Sequence, residues 1–265
     1  LLENSLPDDI VLRVFVTDDG STDGTAERVR EIVPHAEILR SDGSAFWNGG
    51  MRIAFEQAMT TDADFYLWLN DDTNLVSSAM ALLLNTYDQL CTETGSERHI
   101  VVGTTVDQTS GEFTYGGLNR NHKIWRPVTF RLVPPALTAS QCDTMNGNCV
   151  LIPRSVAQLT GNLDPHFVHS MGDTDYGLRA RYEGCKVWVA PGIVGHCSRN
   201  TLRGSFVDGS ASVRQRIKRV LGPKGMPPNA WWTYVRRHGG MLAPLFWLWP
   251  YVKAALVGMS RSHAK

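Results

Sequence analysis

Paired cysteines are the first thing the sequence lacks. Its five cysteines (Cys91, Cys142, Cys149, Cys185 and Cys197) are odd in number, scattered, and never spaced Cys-x-x-Cys. That excludes a disulfide scaffold and a zinc ribbon, and it fits a reducing compartment such as the cytosol. Two phosphate-binding signatures are also missing: no G-x-x-x-x-G-K-[ST] stretch occurs, and no G-x-G-x-x-G follows a strand. Any phosphate would therefore have to be held with the help of a metal ion rather than by a P-loop or a dinucleotide turn. There is no G-x-S-x-G elbow and no H-E-x-x-H pair, which removes the usual serine-hydrolase and zinc-protease readings. Long apolar runs are scarce. The best, 241–259, is interrupted by Pro244, Pro250 and Lys253, whereas a bilayer span needs about 20 apolar residues in a row. Acid is nearly absent after residue 200. Residues 201–265 hold 11 Lys and Arg against Asp208 alone, while residues 1–200 hold 15 against 25 Asp and Glu.

The remainder is an ordinary globular composition: 265 residues, 43% hydrophobic and 20% charged. This is enough for one large domain or a domain with an appendage, and it rules out disorder, collagen-like repeats and coiled coils. Strand-length apolar runs alternate with helix-period segments. Strands are expected over 11–17, 37–40, 64–69, 100–103, 149–152 and 186–190. Helices are expected over 23–32, with Thr22 or Asp23 as cap, and over 50–59, 75–90, 155–160 and 175–183. The alternation implies an α/β fold with a mainly parallel sheet flanked by helices. The polar, turn-rich stretch 104–150 reads as hairpins over a sheet edge.

Three acidic clusters fall where ligands bind in such folds, beyond the carboxyl ends of strands. Asp18-Asp19-Gly20-Ser21 is either a tight turn before a helix or a ligand-binding turn. Asn70-Asp71-Asp72-Thr73 is either a helix cap or a cation site, since neighbouring carboxylates repel and a divalent ion relieves that. Gly172-Asp173-Thr174-Asp175 opens a helix. Its two carboxylates, spaced i and i+2, point in different directions, so one can act as a base while the other caps the helix or holds an arginine.

VTDDGSTDGT (16–25), FWNGG (46–50), LWLNDDT (67–73), MNGNCVLIPR (145–154) and GDTDYGLRARYEG (172–184) together resemble family 2 glycosyltransferases of the GT-A fold. The nearest flavour is the rhamnosyltransferase-like branch of bacterial surface polysaccharide synthesis. The resemblance covers roughly residues 1–200. It implies a nucleotide-sugar donor, UDP- or dTDP-activated, contacted by Asp19 at the base or ribose and by Asp42, Trp47, Asn48 and Asp71 nearby. Asn70-Asp71-Asp72 stands in place of the family's Asp-x-Asp motif, leaving Asp72 as a ligand of Mg²⁺ or Mn²⁺. His196 matches a histidine that often completes that metal site. Asp173 matches the catalytic base of an inverting transfer, with Gly172 where a Glu usually lies. A first strand and most of a first helix are expected to precede Leu1, with Leu1-Leu2-Glu3-Asn4 as the end of that helix.

The resemblance and the charge asymmetry together set the expected organisation: a catalytic domain over 1–205 and a basic, Trp-rich helical segment over 206–265. That segment is expected either to lie in a membrane interface or to pack on protein. A glycan or lipid-linked glycan acceptor at the inner face of the cytoplasmic membrane follows from the first option. Nucleic acid is not expected as a partner, since no recognition module accompanies the basic residues. Two other classes remain: a nucleotidyltransferase, and a catalytically degenerate assembly subunit, the latter suggested by Asn70 and Gly172.

Overall fold

The structure, a computed structural model, describes residue 6 and residues 10–121, 128–199 and 203–256. The expected helix end at Leu1-Leu2-Glu3-Asn4 lies outside these residues. The chain begins β1 (Phe15–Asp18), α1 (Thr25–Ile32), β2 (Glu37–Arg40), α2 (Phe46–Met59), β3 (Phe65–Leu69), β4 (Asn74–Leu75) and α3 (Ala79–Thr94). Short strands follow: β5 (His99–Val102), β6 (Thr105–Val106), β7 (Phe113–Tyr115), β8 (Gly117–Arg120), β9 (Phe130–Leu132), β10 (Ser140–Cys142), β11 (Thr144–Met145) and β12 (Cys149–Pro153). Then come α4 (Arg154–Thr160), α5 (Gly172–Tyr182), β13 (Lys186–Val189) and β14 (Gly195–His196), and finally α6 (Val213–Leu221), α7 (Pro228–His238) and α8 (Ala243–Leu256).

The central sheet runs β10-β13-β5-β12-β3, and β1 and β2 form a separate parallel pair. The sheet expected to be mainly parallel is mixed. β13 and β5 are parallel, while β12 runs against both β5 and β3, and β10 against β13. The reason lies in the connections. β3, β5 and β13 each follow a helix, and a helical crossover returns the chain in the same direction. β12 is entered from the hairpin strands instead, without a helix to turn it round. Those hairpins (β6 with β7, β8 with β9 and β11) occupy the expected stretch.

Side-chain alternation divides the core. Val150 and Ile152 of β12 face Phe55, Trp68 and Tyr176, whereas Leu151 faces Leu83 and Leu90 of α3. A third cluster joins Phe167 and Leu178 to Trp231, Tyr234 and Val235, with Phe246 and Trp247 against them. The aromatic C-terminal helices therefore pack onto α5.

Several boundaries differ from expectation. β1 starts at Phe15, not 11, because its ladder partner among the described residues is β2, which begins at Glu37. α3 starts four residues late because Asn74 and Leu75 pair with β14. Asp23 accepts the Thr25 amide at 3.1 Å, holding the start of α1 from one position further out than a cap.

Leu83 is completely buried between α3 and the sheet. Leu83→Ala should lower stability by about 2–5 kcal/mol in urea unfolding. Leu137→Ala, at a residue 99% exposed, should stay within about 0.5 kcal/mol; equal effects would refute this account of the core.

Candidate active site

The first acidic cluster splits into two tasks. Asp18 is buried at the end of β1, opposite Arg40 in the ladder. Its Oδ1 accepts the Ser21 amide at 2.9 Å, and the Ser21 hydroxyl and amide hold its pKa below the usual carboxylate value. It lines a cleft of about 210 Å³ together with Gly20, Ser21, Ala26, Glu27, Arg40 and Ser41. Asp19 turns the other way. Its Oδ1 accepts the amides of Gly43 (3.0 Å) and Ala45 (3.1 Å), and its Oδ2 that of Phe46 (2.9 Å). Burial works against its charge, but these amides and the Ser41 hydroxyl outweigh burial and keep its pKa low. A carboxylate at a helix N-terminus satisfies orphan amides and the helix dipole together. This explains why α2 begins at Phe46, four residues before the expected start. Asp42 is exposed and its Oδ1 accepts the amide of Ser44 at 3.0 Å and that residue's hydroxyl, closing the same loop.

The first turn of α2 is where the other clusters meet. Trp47 Nε1 donates to Asn70 Oδ1 at 2.7 Å, and the Asn70 amide donates to the Asn148 carbonyl at 3.0 Å. Asn48, expected to line a sugar pocket, is instead wholly buried. Its Nδ2 donates to the carbonyls of Phe167 and Asp164, and its backbone amide to that of Val168. A side chain bonded on that side into the protein interior does not face a ligand. Its Oδ1 lies where a β-carbon on Gly172 would be, 1.5 Å away. A Glu at 172 would displace Asn48, so the glycine there has a packing cause.

Asp71 and Asp72 are exposed beyond β3. Asp72 Oδ1 accepts the Cys197 thiol at 3.5 Å. His196 precedes that thiol and pairs with Asn74 across β14 and β4, with a buried Nδ1 that has no hydrogen-bond partner. Among the described residues no group of three or more His, Cys, Asp or Glu side chains could hold a metal ion by itself. The unspent His196 nitrogen and the exposed Asp72 carboxylate are each a donor of the kind a Mg²⁺ or Mn²⁺ can take, and such an ion needs only one or two protein ligands when phosphate and water complete its shell.

Asp173 sits in the first turn of α5, which follows Met171 in the left-handed region (φ 78°). Its Oδ2 accepts the Gly147 amide at 3.0 Å and its Oδ1 the Thr174 amide at 2.7 Å. Burial nevertheless raises its pKa above the ordinary value. A β-carbon on Gly147 would come 2.3 Å from Trp47 Cζ2 and 3.4 Å from Asp173 Cβ. Trp47, Asn70, Gly147 and Asp173 therefore form one continuous wall. Asp175 has no exposure and is bonded by two cations, Arg179 Nε at 2.8 Å and Arg237 Nη1 at 2.6 Å, and by the His238 ring, Nε2 at 2.8 Å, whose pKa burial lowers. Burial opposes its charge, yet His238 and Arg179 lower its pKa. Of the two carboxylates, Asp175 is the one that holds arginines.

Sequence reasoning missed Asp18, Arg40, Arg237 and His238. The first sits beside the residue that was chosen. The last two belong to a basic run whose composition, not its contacts, was legible.

The chain was compared with known proteins. The family model described as "Glycosyl transferase family 2" matches residues 1–158. No curated protein matches. Among solved structures, GalNAc-T7 with UDP, GalNAc and Mn²⁺ is similar at 13% identity and a TM-score of 0.51, over 78% of this chain and 41% of that one. The chain thus spans about two fifths of that protein's length. The mannosyltransferase PcManGT from Pyrobaculum calidifontis, in complex with GDP-Man and Mn²⁺, is similar at 14% identity and a TM-score of 0.50, over 100% of this chain and 69% of that one. These likenesses concern the fold. With the matched family model, the mixed α/β architecture and the clusters gathered around α2, the chain belongs to glycosyl transferase family 2 and has the GT-A fold.

Proposed function

We propose that the protein is an inverting, metal-dependent glycosyltransferase that moves a sugar from a UDP- or dTDP-sugar to a glycan or lipid-linked glycan in surface polysaccharide synthesis, in the manner of rhamnosyltransferases. The observation that carries this reading is the wall Trp47–Asn70–Gly147–Asp173, joined through the first turn of α2 to the loop held by Asp19. The nucleoside is assigned to the cleft at Asp18, Arg40 and Ser41, with Asp19 and Asp42 fixing the neighbouring loop 42–46 and Asp71 proposed at its diphosphate side. Asp72 and His196 would hold the divalent ion, whose chemistry is to neutralise the departing diphosphate. GalNAc-T7 and PcManGT, both solved with Mn²⁺, support that choice of cofactor.

Asp173 takes the proton from the acceptor hydroxyl as its oxygen bonds to the anomeric carbon and the bond to the diphosphate breaks. One base on the face opposite the leaving group is enough for inversion. Its amide bonds from Gly147 and Thr174 fix the carboxylate, and its burial strengthens it as a base. The degenerate-subunit reading loses its two supports, because Asn70 is the acceptor for Trp47 and Gly172 makes room for Asn48. A nucleotidyltransferase would release pyrophosphate, so the product decides against it or for it.

The acceptor's location is proposed from α8, where Leu245, Leu248, Trp249 and Leu256 are each at least 50% exposed and recur at helical spacing along one stripe. No described helix is long and apolar enough to cross a membrane. An apolar stripe in a region with 11 basic residues against one acid suits a helix lying on the anionic inner face of the cytoplasmic membrane.

Four outcomes test these assignments. Screening nucleotide sugars should show nucleoside-diphosphate release that EDTA abolishes; pyrophosphate release would overturn the transferase reading. Asp173→Asn should cut turnover by about 10²–10⁴-fold while calorimetry shows donor binding unchanged. In the unmodified enzyme kcat/KM should fall as pH drops through a pKa above the usual carboxylate range, because protonated Asp173 cannot accept the proton. An acidic limb at or below the ordinary carboxylate value would contradict that base. The paired change Leu245→Glu with Trp249→Glu should abolish co-sedimentation with vesicles containing phosphatidylserine, leaving transfer to a soluble acceptor intact.

A further inference from the structure

We infer that Arg237 and His238, at the end of α7, are positioning residues for the crevice, so that the basic C-terminal segment completes the active site from within the chain. The inference rests on Asp173 as the base. Asp175, two residues after it on α5, is buried and charged, and two of its three side-chain partners, the Arg237 guanidinium and the His238 ring, come from α7, 62 and 63 residues along the chain. Arg237 does more than neutralise. Its Nη1 donates to Asp175 while its Nη2 donates to Asp164 Oδ2 at 2.8 Å. Asp164 begins the loop whose carbonyls hold Asn48, the residue next to Trp47. One planar guanidinium thus spans both flanks of the crevice: the helix that carries Asp173 and the loop that grips the first turn of α2.

The docking of α7 does not need these charges for cohesion. Trp231, Tyr234 and Val235 already pack on Phe167 and Leu178. Buried ion clusters add little net stability compared with apolar packing, and their well-attested use is to select one geometry. Lysine cannot replace the fork, since a single ammonium is a point donor and does not hold two carboxylates in plane.

The test is a double-mutant cycle with donor affinity read in parallel. Arg237→Gln should lower kcat about tenfold or more with donor affinity within about twofold of the parent, and Arg237→Lys should recover only part of the loss. In an Asp173→Asn background, Arg237→Gln should cost nothing further, because a residue acting through the base has nothing left to position. Should Arg237→Gln not yield folded protein, His238→Gln carries the same cycle. A folded variant with unchanged kcat overturns the inference. So does an equal loss in both backgrounds, or a loss matched by weaker donor binding and a lower Tm, which would mark a structural role alone. If Asp173→Asn itself leaves turnover intact, the assignment of the base has failed, separately from the clamp.

Discussion

The grip of Asp19 on the first turn of α2 is the constraint on which the rest of the site depends. Three amides from the loop 43–46 converge on one carboxylate, and the helix begins there because that charge is available to begin it. Phe46 is thereby held at φ 51°, a conformation an L-residue avoids without compensation. Once the turn is set, Trp47 reaches Asn70 and Gly147, while Asn48 turns inward to bind the loop before α5. Without the cap, the indole and the amide would lose their opposed directions, and the segments bearing Asp72 and Asp173 would lose their common wall.

A division of labour recurs in the acidic clusters. In each of the first and third, the two carboxylates meet different surroundings. Asp19 caps while Asp18 lines a cleft; Asp175 clamps arginines while Asp173 accepts the amides of Gly147 and Thr174. The physics of the two roles is opposite. A structural carboxylate accumulates donors and cations until its pKa falls, as Asp19 and Asp175 show despite burial. At Asp173 burial outweighs the hydrogen bonds and the pKa rises, the environment a proton acceptor needs. Adjacent acids let one segment supply both without lengthening the loop.

This division also explains what could be read from the sequence. The α/β alternation and the first two clusters at the ends of β1 and β3 were legible, because each depends on local pattern and spacing. The choice between Asp18 and Asp19 was not, since it depends on a loop 24–27 residues away. The same holds for the start of α2. Asn48 was placed near the donor by resemblance alone; its burial depends on carbonyls at 164 and 167, which carry no side-chain signal. Arg237 and His238 were visible only as basic composition, since periodicity cannot tell a cation in solvent from one paired with a buried acid.

The departures from the family pattern carry the same lesson at the level of chemistry. An Asn at 70 gives up a charge but gains a neutral acceptor for Trp47, and an Asp there would add a third carboxylate beside Asp71 and Asp72. A Gly at 172 gives up a carboxylate next to the base but admits the Asn48 amide into direct contact with the helix start. Two changes on opposite sides of the crevice therefore act on adjacent residues of one helical turn. Each replaces an acid by a contact with that turn, so the pair is consistent with a site rebuilt around Trp47 and Asn48 rather than one that has decayed.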